Sequence, residues 1–212
     1  MDAALVPETA DLDGLRAAAA RCRACELWEP ATQTVFSTGP VDARIVLVGE
    51  QPGDVEDRRG QPFVGPAGRL LDRALAEAGI DRDISYVTNA VKHFRFRQDG
   101  KRRIHQTPGP EHMAACRPWL DAELTLICPE MVICLGATAA KALLGSTFRI
   151  TRQRGQLMPY DPPIGEEDAA VKSGWIMATA HPSAVLRVPD EERAGAYDAL
   201  VADLRVAARA LA

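Results

Sequence analysis

Four runs of nearly unbroken apolar residues recur along the chain: "ARIVLVGE", "ISYVTNAV", "EMVICLG" and "GWIMATA". A run that is apolar at successive positions, not at alternate ones, predicts a strand buried on both faces, as in parallel sheets. The stretches between them carry helical periodicity. In "GPAGRLLDRALAEAGI" the residues Leu70, Leu71, Ala74, Leu75 and Ala78 share one side of a helix that Gly79 stops. "GPEHMAACRPWLDAELTLI", "ATAAKALLG" and "EERAGAYDALVADLRVAARAL" read as further helices, and "LDGLRAAAARC" as a short one with Asp11 or Asp13 near its start. Strands alternating with helices predict an α/β fold, a three-layer α/β/α sandwich around a mostly parallel four-stranded sheet. The Pro- and acid-rich "MPYDPPIGEEDAAVKSG" reads as a surface loop. In parallel sheets ligands bind at the carboxyl ends of the strands, which here read "GEQPGD", "NAVKH", "LGATAA" and "AHPS".

At 212 residues the chain suits one domain, residues 1–212. No apolar run approaches the roughly 20 residues of a membrane span. The acidic start "MDAALVPETADLDG" lacks the basic region and apolar core of a signal peptide, so the expectation is a cytoplasmic protein. Charge is unevenly placed. The twelve residues from Lys92 to Arg103 hold six Lys/Arg and one Asp in a chain of net charge −4. A local basic footprint of this kind suits a polyanion, although Gln98-Asp99-Gly100 is also a turn signal and a solvated loop would look the same.

Five cysteines in a reducing compartment argue against a disulfide framework. Cys128 and Cys134, in "LICPEMVICLG", read as buried small hydrophobes. Cys22 and Cys25 form C-x-x-C, and Cys116 lies on a helix in "AACRPWL". Three thiols and an unplaced fourth ligand suit zinc or an iron–sulfur cluster, and spacing does not choose between them.

Four ordered segments, "GEQPGDVEDRRGQPFVGPAGRLLD", "YVTNAVKH", "CRPWL" and "HPSAVLR", resemble the iron–sulfur branch of the uracil-DNA glycosylase superfamily. The resemblance implies a [4Fe–4S] cluster held by Cys22, Cys25, Cys116 and, where relatives carry a third cysteine, His93. Two departures, Gln51 in "GEQPG" and an enlarged loop containing "KRRIH", resemble the UdgX-type subgroup, which excises uracil and stays covalently attached to DNA through the loop histidine, here His105.

The roles that follow are those the resemblance implies. Phe63 stacks on the flipped base and Asn89 reads its O4 and N3–H, within a substrate loop that includes Gly49 and Gln51. His181 donates to O2 of the leaving uracil, and Arg187 braces that loop or a phosphate. Glu50 and Asp54 border the sugar, and Asp57 pairs with the basic loop. Lys101, Arg102 and Arg103 grip the DNA backbone, and the two arginines keep His105 neutral for attack. The expected substrate is uracil-containing DNA, single-stranded by preference, met by a monomer. Two rivals remain: a turning-over glycosylase with water activated by Glu50, and a non-catalytic nucleic-acid-binding metalloprotein.

Overall fold

The computed structural model describes residues 6–7, 11–161 and 174–211. Its strands in chain order are β1 (Ser37–Thr38), β2 (Ile45–Gly49), β3 (Ser85–Asn89), β4 (Phe96–Asp99), β5 (Arg102–His105), β6 (Met131–Leu135), β7 (Met158–Tyr160) and β8 (Gly174–Thr179). The helices are α1 (Leu12–Ala19), α2 (Asp54–Arg59), α3 (Pro66–Ala78), α4 (Pro110–Ile127), α5 (Ala137–Leu144), α6 (Ile150–Gln153), α7 (Pro182–Arg187) and α8 (Asp190–Ala210). None of them is long and apolar enough to cross a membrane.

The four apolar runs become β2, β3, β6 and β8, paired in parallel in the order β3-β2-β6-β8. Alternation along each strand feeds both faces. Ile45, Leu47, Ile133 and Met177 pack with α3 and α8, while Val46, Val48, Val132 and Ile176 pack with α4 and α5. The layers are those expected, but among the described residues the sheet has six strands, not four. The short strands β1 and β7 close its edges antiparallel to β3 and β8. Two and three residues are too few to leave a periodic signal, and Pro159 in β7 is tolerated because the strand is an edge. The beginning of the expected Pro-rich loop is therefore strand, and residues 162–173 of that loop lie outside the described residues.

Strand order reverses between β2 and β6, since the chain runs from β2 outward to β3 and then crosses back to β6. Such a switch point opens a crevice at the carboxyl ends of the two strands. The basic loop that follows β3 is a hairpin of β4 and β5. Gly100, at φ +55°, opens its two-residue turn, where a two-residue hairpin favours glycine.

Two sequence readings need correction. Cys128 is exposed, not buried, because Pro129 ends α4 and Cys128 takes the left-handed cap at φ 47°. Lys92, counted with the polyanion footprint, lies 1% exposed beneath the sheet edge. Its ammonium donates to Thr88 Oγ1 (2.6 Å), to the Asn89 carbonyl (3.0 Å) and to Glu123. Glu123, itself fully buried on α4, also accepts from Tyr86 Oη (2.8 Å) and Thr88 Oγ1 (3.0 Å), and Tyr86 reaches Ser37 Oγ at 2.5 Å. All three ammonium protons are satisfied, which is the condition for holding a charge pair out of water.

Replacing Glu123 by Gln leaves Lys92 buried without its counter-charge. Glu123→Gln should lower unfolding stability by about 3–5 kcal/mol, measured by denaturant titration. A loss under about 1 kcal/mol would show that the pair carries no such weight.

Candidate active site

The crevice at the switch point is a cavity of about 650 Å³. Glu50 and Gln51 enter it from the end of β2, Asn89 from the end of β3, Thr138 from the start of α5, His181 from the turn after β8 and Ser183 from the start of α7. Phe63, His105 and Arg187 add to the wall from a loop, from β5 and from α7.

Gly49 lies beneath this wall. A Cβ built there would stand 2.3 Å from Asn89 Oδ1 and 2.7 Å from the Phe63 ring, so only glycine lets the two side chains approach. Gly68 does the same for the Phe63 backbone, whose carbonyl oxygen would be 1.6 Å from an added Cβ. Phe63 itself has φ +55°, a conformation that costs energy in a residue with a side chain and that recurs where function requires it. Among the described residues Asn89 Oδ1 is buried without a hydrogen-bond partner, an acceptor that costs stability unless a ligand donor meets it.

His181 caps α7, and its Nδ1 accepts the Ser183 backbone N–H at 3.1 Å. That bond requires a lone pair on Nδ1, so the neutral ring carries its proton on Nε2. Burial, then Arg187 and His105, push its pKa down to about 4. The result is an uncharged N–H donor on the cavity wall, with its ring 5.8 Å from that of Phe63.

His105 sits 3.3 Å through Nε2 from Glu50 Oε1, and Thr138 Oγ1 holds the other oxygen of the same carboxylate. Burial lowers the His105 pKa, Glu50 opposes the shift and Arg187 adds to it. The cation that disfavours imidazolium is thus Arg187, not the expected Arg102 and Arg103. Arg103 is only 10% exposed and ion-paired to Asp54 and to buried Asp57, the latter at 2.6 Å. Its guanidinium also lies over the rings of Phe96 (5.0 Å) and Phe94 (5.4 Å). It anchors the hairpin and is not free for phosphate. Alternation along β5 explains the difference, since Arg103 and His105 face the body while Arg102 and Ile104 face outward. Lys101 and Arg102 are exposed at the tip.

Asp54 is likewise committed, to Arg58 and Arg103, and lies outside the cavity wall. The expected place for it beside the sugar is not observed, whereas the ion pair expected of Asp57 with the loop is present. Gln51 lines the cavity, but its amide joins the two roots of the hairpin. Nε2 donates to the carbonyls of Arg95 (3.1 Å) and Gln106 (3.0 Å), and Oε1 accepts the Arg95 N–H (2.9 Å). Its side chain positions the hairpin, and both of its N–H donors are used in doing so.

Residues that sequence reasoning missed act by holding other groups in place. Thr138 fixes Glu50, Ser183 fixes the His181 tautomer, and Glu56 binds the Gly65 N–H at 2.7 Å. None belongs to a spacing pattern, although Thr138 and Ser183 stand in the strand-end segments "LGATAA" and "AHPS".

The thiols lie away from this cavity. Each receives an N–H: Cys22 from the Trp119 indole at 3.3 Å, Cys25 from the Leu27 backbone and Cys116 from the Lys92 backbone. Burial raises the Cys25 pKa and pushes Cys116 up to about 12. His93 bonds Thr34 Oγ1 at 2.9 Å through Nε2, while its Nδ1 is buried with no partner among the described residues. Among the described residues no three such side chains converge on one point as a single metal ion would require.

The tautomer and charge of His181 are directly observable. Its imidazole resonances should titrate near pH 4 by NMR, with the proton on Nε2 above that. Since the unfolded ring binds its proton near 6.5, this residue should make stability fall as pH drops from 6.5 toward 4. Titration near 6.5 would remove the neutral-donor assignment.

Comparison with known proteins adds the family. Residues 36–205 match the model of the uracil DNA glycosylase superfamily. A type-4 uracil-DNA glycosylase of Thermotoga maritima is 40% identical over 168 residues, covering 79% of each chain. Those of Sulfurisphaera tokodaii and Archaeoglobus fulgidus are 35% identical over 174 residues and 36% over 172. The alignments cover 80% and 79% of this chain, and 73% and 79% of theirs. By this match over most of its length and this identity, the chain belongs to the uracil-DNA glycosylase superfamily.

Proposed function

We propose that the protein excises uracil from DNA and remains joined to the abasic sugar through His105. The observation that carries this reading is a partly exposed histidine, His105, in the same cavity as the neutral donor His181 and 3.3 Å from the Glu50 carboxylate. A flipped uracil would lie against Phe63 with its N3–H on the unpaired Asn89 Oδ1. Single-stranded DNA would be favoured because no base pair has to be broken first. The C1′–N1 bond breaks with its electron pair going to uracil, whose N1/O2 anion takes a hydrogen bond from His181 Nε2–H. The cationic sugar is then captured by the lone pair of neutral His105. The resulting imidazolium keeps its proton on the other ring nitrogen, and Glu50 balances its charge. A ring already fixed at C1′ outcompetes water by effective concentration. The competing outcome is hydrolysis, with Glu50 orienting a water and His105 as bystander. Thymine would be refused because its 5-methyl group needs room beside the base wall.

The residues present fit a [4Fe–4S] cluster held by Cys22, Cys25, Cys116 and His93 Nδ1. Three sulfurs with N–H donors and a buried, unpartnered imidazole nitrogen support it, because such hydrogen bonds stabilise thiolates at iron. A cubane also spreads its ligands wider than one ion does. Its chemistry there would be structural, tying the N-terminal segment and the root of the hairpin to α4.

Uracil-containing single-stranded DNA should give an adduct that survives SDS and heat on a denaturing gel, and thymine DNA none. His105→Ala should lose the adduct yet still release uracil. Because the His105 pKa is lowered, adduct formation should stay flat as pH falls to 6.5 and drop only on its acid side. Free turnover with no adduct would leave the hydrolytic enzyme in its place, and no uracil release at all would leave a DNA-binding protein.

Anaerobically purified protein should be brown and contain iron. His93→Cys should keep the iron and His93→Ala should lose much of it, by metal analysis and visible absorbance. Stoichiometric zinc without iron would overturn the cluster.

A further inference from the structure

The molecule has a second basic segment that the site described above does not use. Residues 131–160 contain Lys141, Arg149, Arg152 and Arg154 and no Asp or Glu, in a chain where acids outnumber bases. Three of these cations fall in "FRITRQRG" around α6, whose Ile150 and Thr151 line the same cavity as His105.

Each arginine has a distinct state. Arg154 is neutralised by Asp203, with both Nε and Nη2 at 2.8 Å, and Asp203 also accepts from Thr179 Oγ1 at 2.6 Å. The Gly155 N–H joins the Ala178 carbonyl at 2.9 Å, so the exit of α6 is fastened to β8. Arg149 donates through Nη1 to the carbonyls of Ser146 (3.0 Å) and Phe148 (3.2 Å), which orients its guanidinium without neutralising it. Arg152 is exposed. No ion pair to a carboxylate is observed for Arg149 or Arg152 among the described residues.

The hairpin rises after β3, and α6 leads into β7 at the far edge of the sheet. Four strand spacings separate β3 from β7, about 19 Å. A DNA strand advances at least about 3.4 Å per phosphate, so one crossing the cavity mouth passes several phosphates over that span. Lys101 and Arg102 at the hairpin tip serve only one end of it.

We propose that Arg149 and Arg152 form a second phosphodiester subsite, holding the DNA strand on the side of the flipped nucleotide away from the hairpin. The proposal rests on the substrate being DNA. An oriented Arg149 guanidinium and an exposed Arg152, neither ion-paired among the described residues, flank the cavity-lining Ile150 and Thr151 and can meet successive backbone phosphates. Arg154, which itself lines the cavity, is held by Asp203 and so anchors the segment that carries the pair.

The test uses the full chain with its cluster and measures binding of uracil-free single-stranded oligonucleotides against salt. For Arg149→Gln/Arg152→Gln, the slope of log K against log salt should shrink by about 1.4, near 0.7 per lost contact. Arg152→Gln alone should give about half of that; its exposed guanidinium makes no ion pair among the described residues, so it stands if the double variant misfolds. Oligonucleotides with methylphosphonates on one side of the central nucleotide should bind wild type more weakly. On one of the two sides, the same replacement should cost the double variant nothing further. An unchanged slope, or equal sensitivity to both neutralised flanks in wild type and variant, overturns the subsite. Lack of uracil release by wild type would overturn the glycosylase reading instead, and is read in a separate assay.

Discussion

The charge pair between Lys92 and Glu123 holds together the parts on which the site depends. It sits at the junction of β3, β1 and α4, with Thr88, Tyr86 and Ser37 completing its hydrogen bonds. An ion pair so buried gains little over an apolar pair, but it demands one geometry, because any displacement leaves a charge unsatisfied. That geometry includes the Asn89 carbonyl, bonded by Lys92 Nζ, and so the strand end that turns Asn89 into the cavity. It also includes the backbone at Lys92, whose N–H meets the Cys116 thiol. The base wall and the thiol site are thus registered to each other through one side chain.

The hairpin is suspended from the body by polar contacts more than by apolar burial. Gln51 closes its root, and Arg103 reaches from its second strand to Asp54 and Asp57 across two phenylalanine rings. Asp57 is fully buried and also accepts the Thr32 N–H, so the anchor point is rigid. Because side chains alternate along β5, fixing Arg103 inward fixes His105 inward and leaves Arg102 outward. One basic segment thereby does two jobs with opposite faces.

Two histidines in one cavity are both kept neutral, but they differ in what the neutral form offers. His181 is buried with its acceptor nitrogen occupied, which leaves a donor. His105 is partly exposed beside a carboxylate, which leaves a nitrogen lone pair within reach of a substrate. The same electrostatic direction produces two different chemical tools because the neighbours differ.

The sequence by itself determined the layered α/β architecture, because strands buried on both faces must be apolar at every position. The strand-end motifs marked the cavity for a similar reason: chemistry in such a sheet collects where the parallel strands stop. What only the tertiary structure decided was the partner of each charged or polar side chain. Lys92 and Arg103 look like surface cations in the sequence, yet one is buried against Glu123 and the other is held by Asp54 and Asp57. Gln51 stands in the expected substrate loop, and only the structure shows its side chain fastening the hairpin. Short edge strands and a cysteine in a left-handed cap escaped notice because they carry no periodicity. Periodicity reports which face a residue occupies, whereas partnership depends on segments tens of residues apart arriving at the same point, and that is set by packing alone.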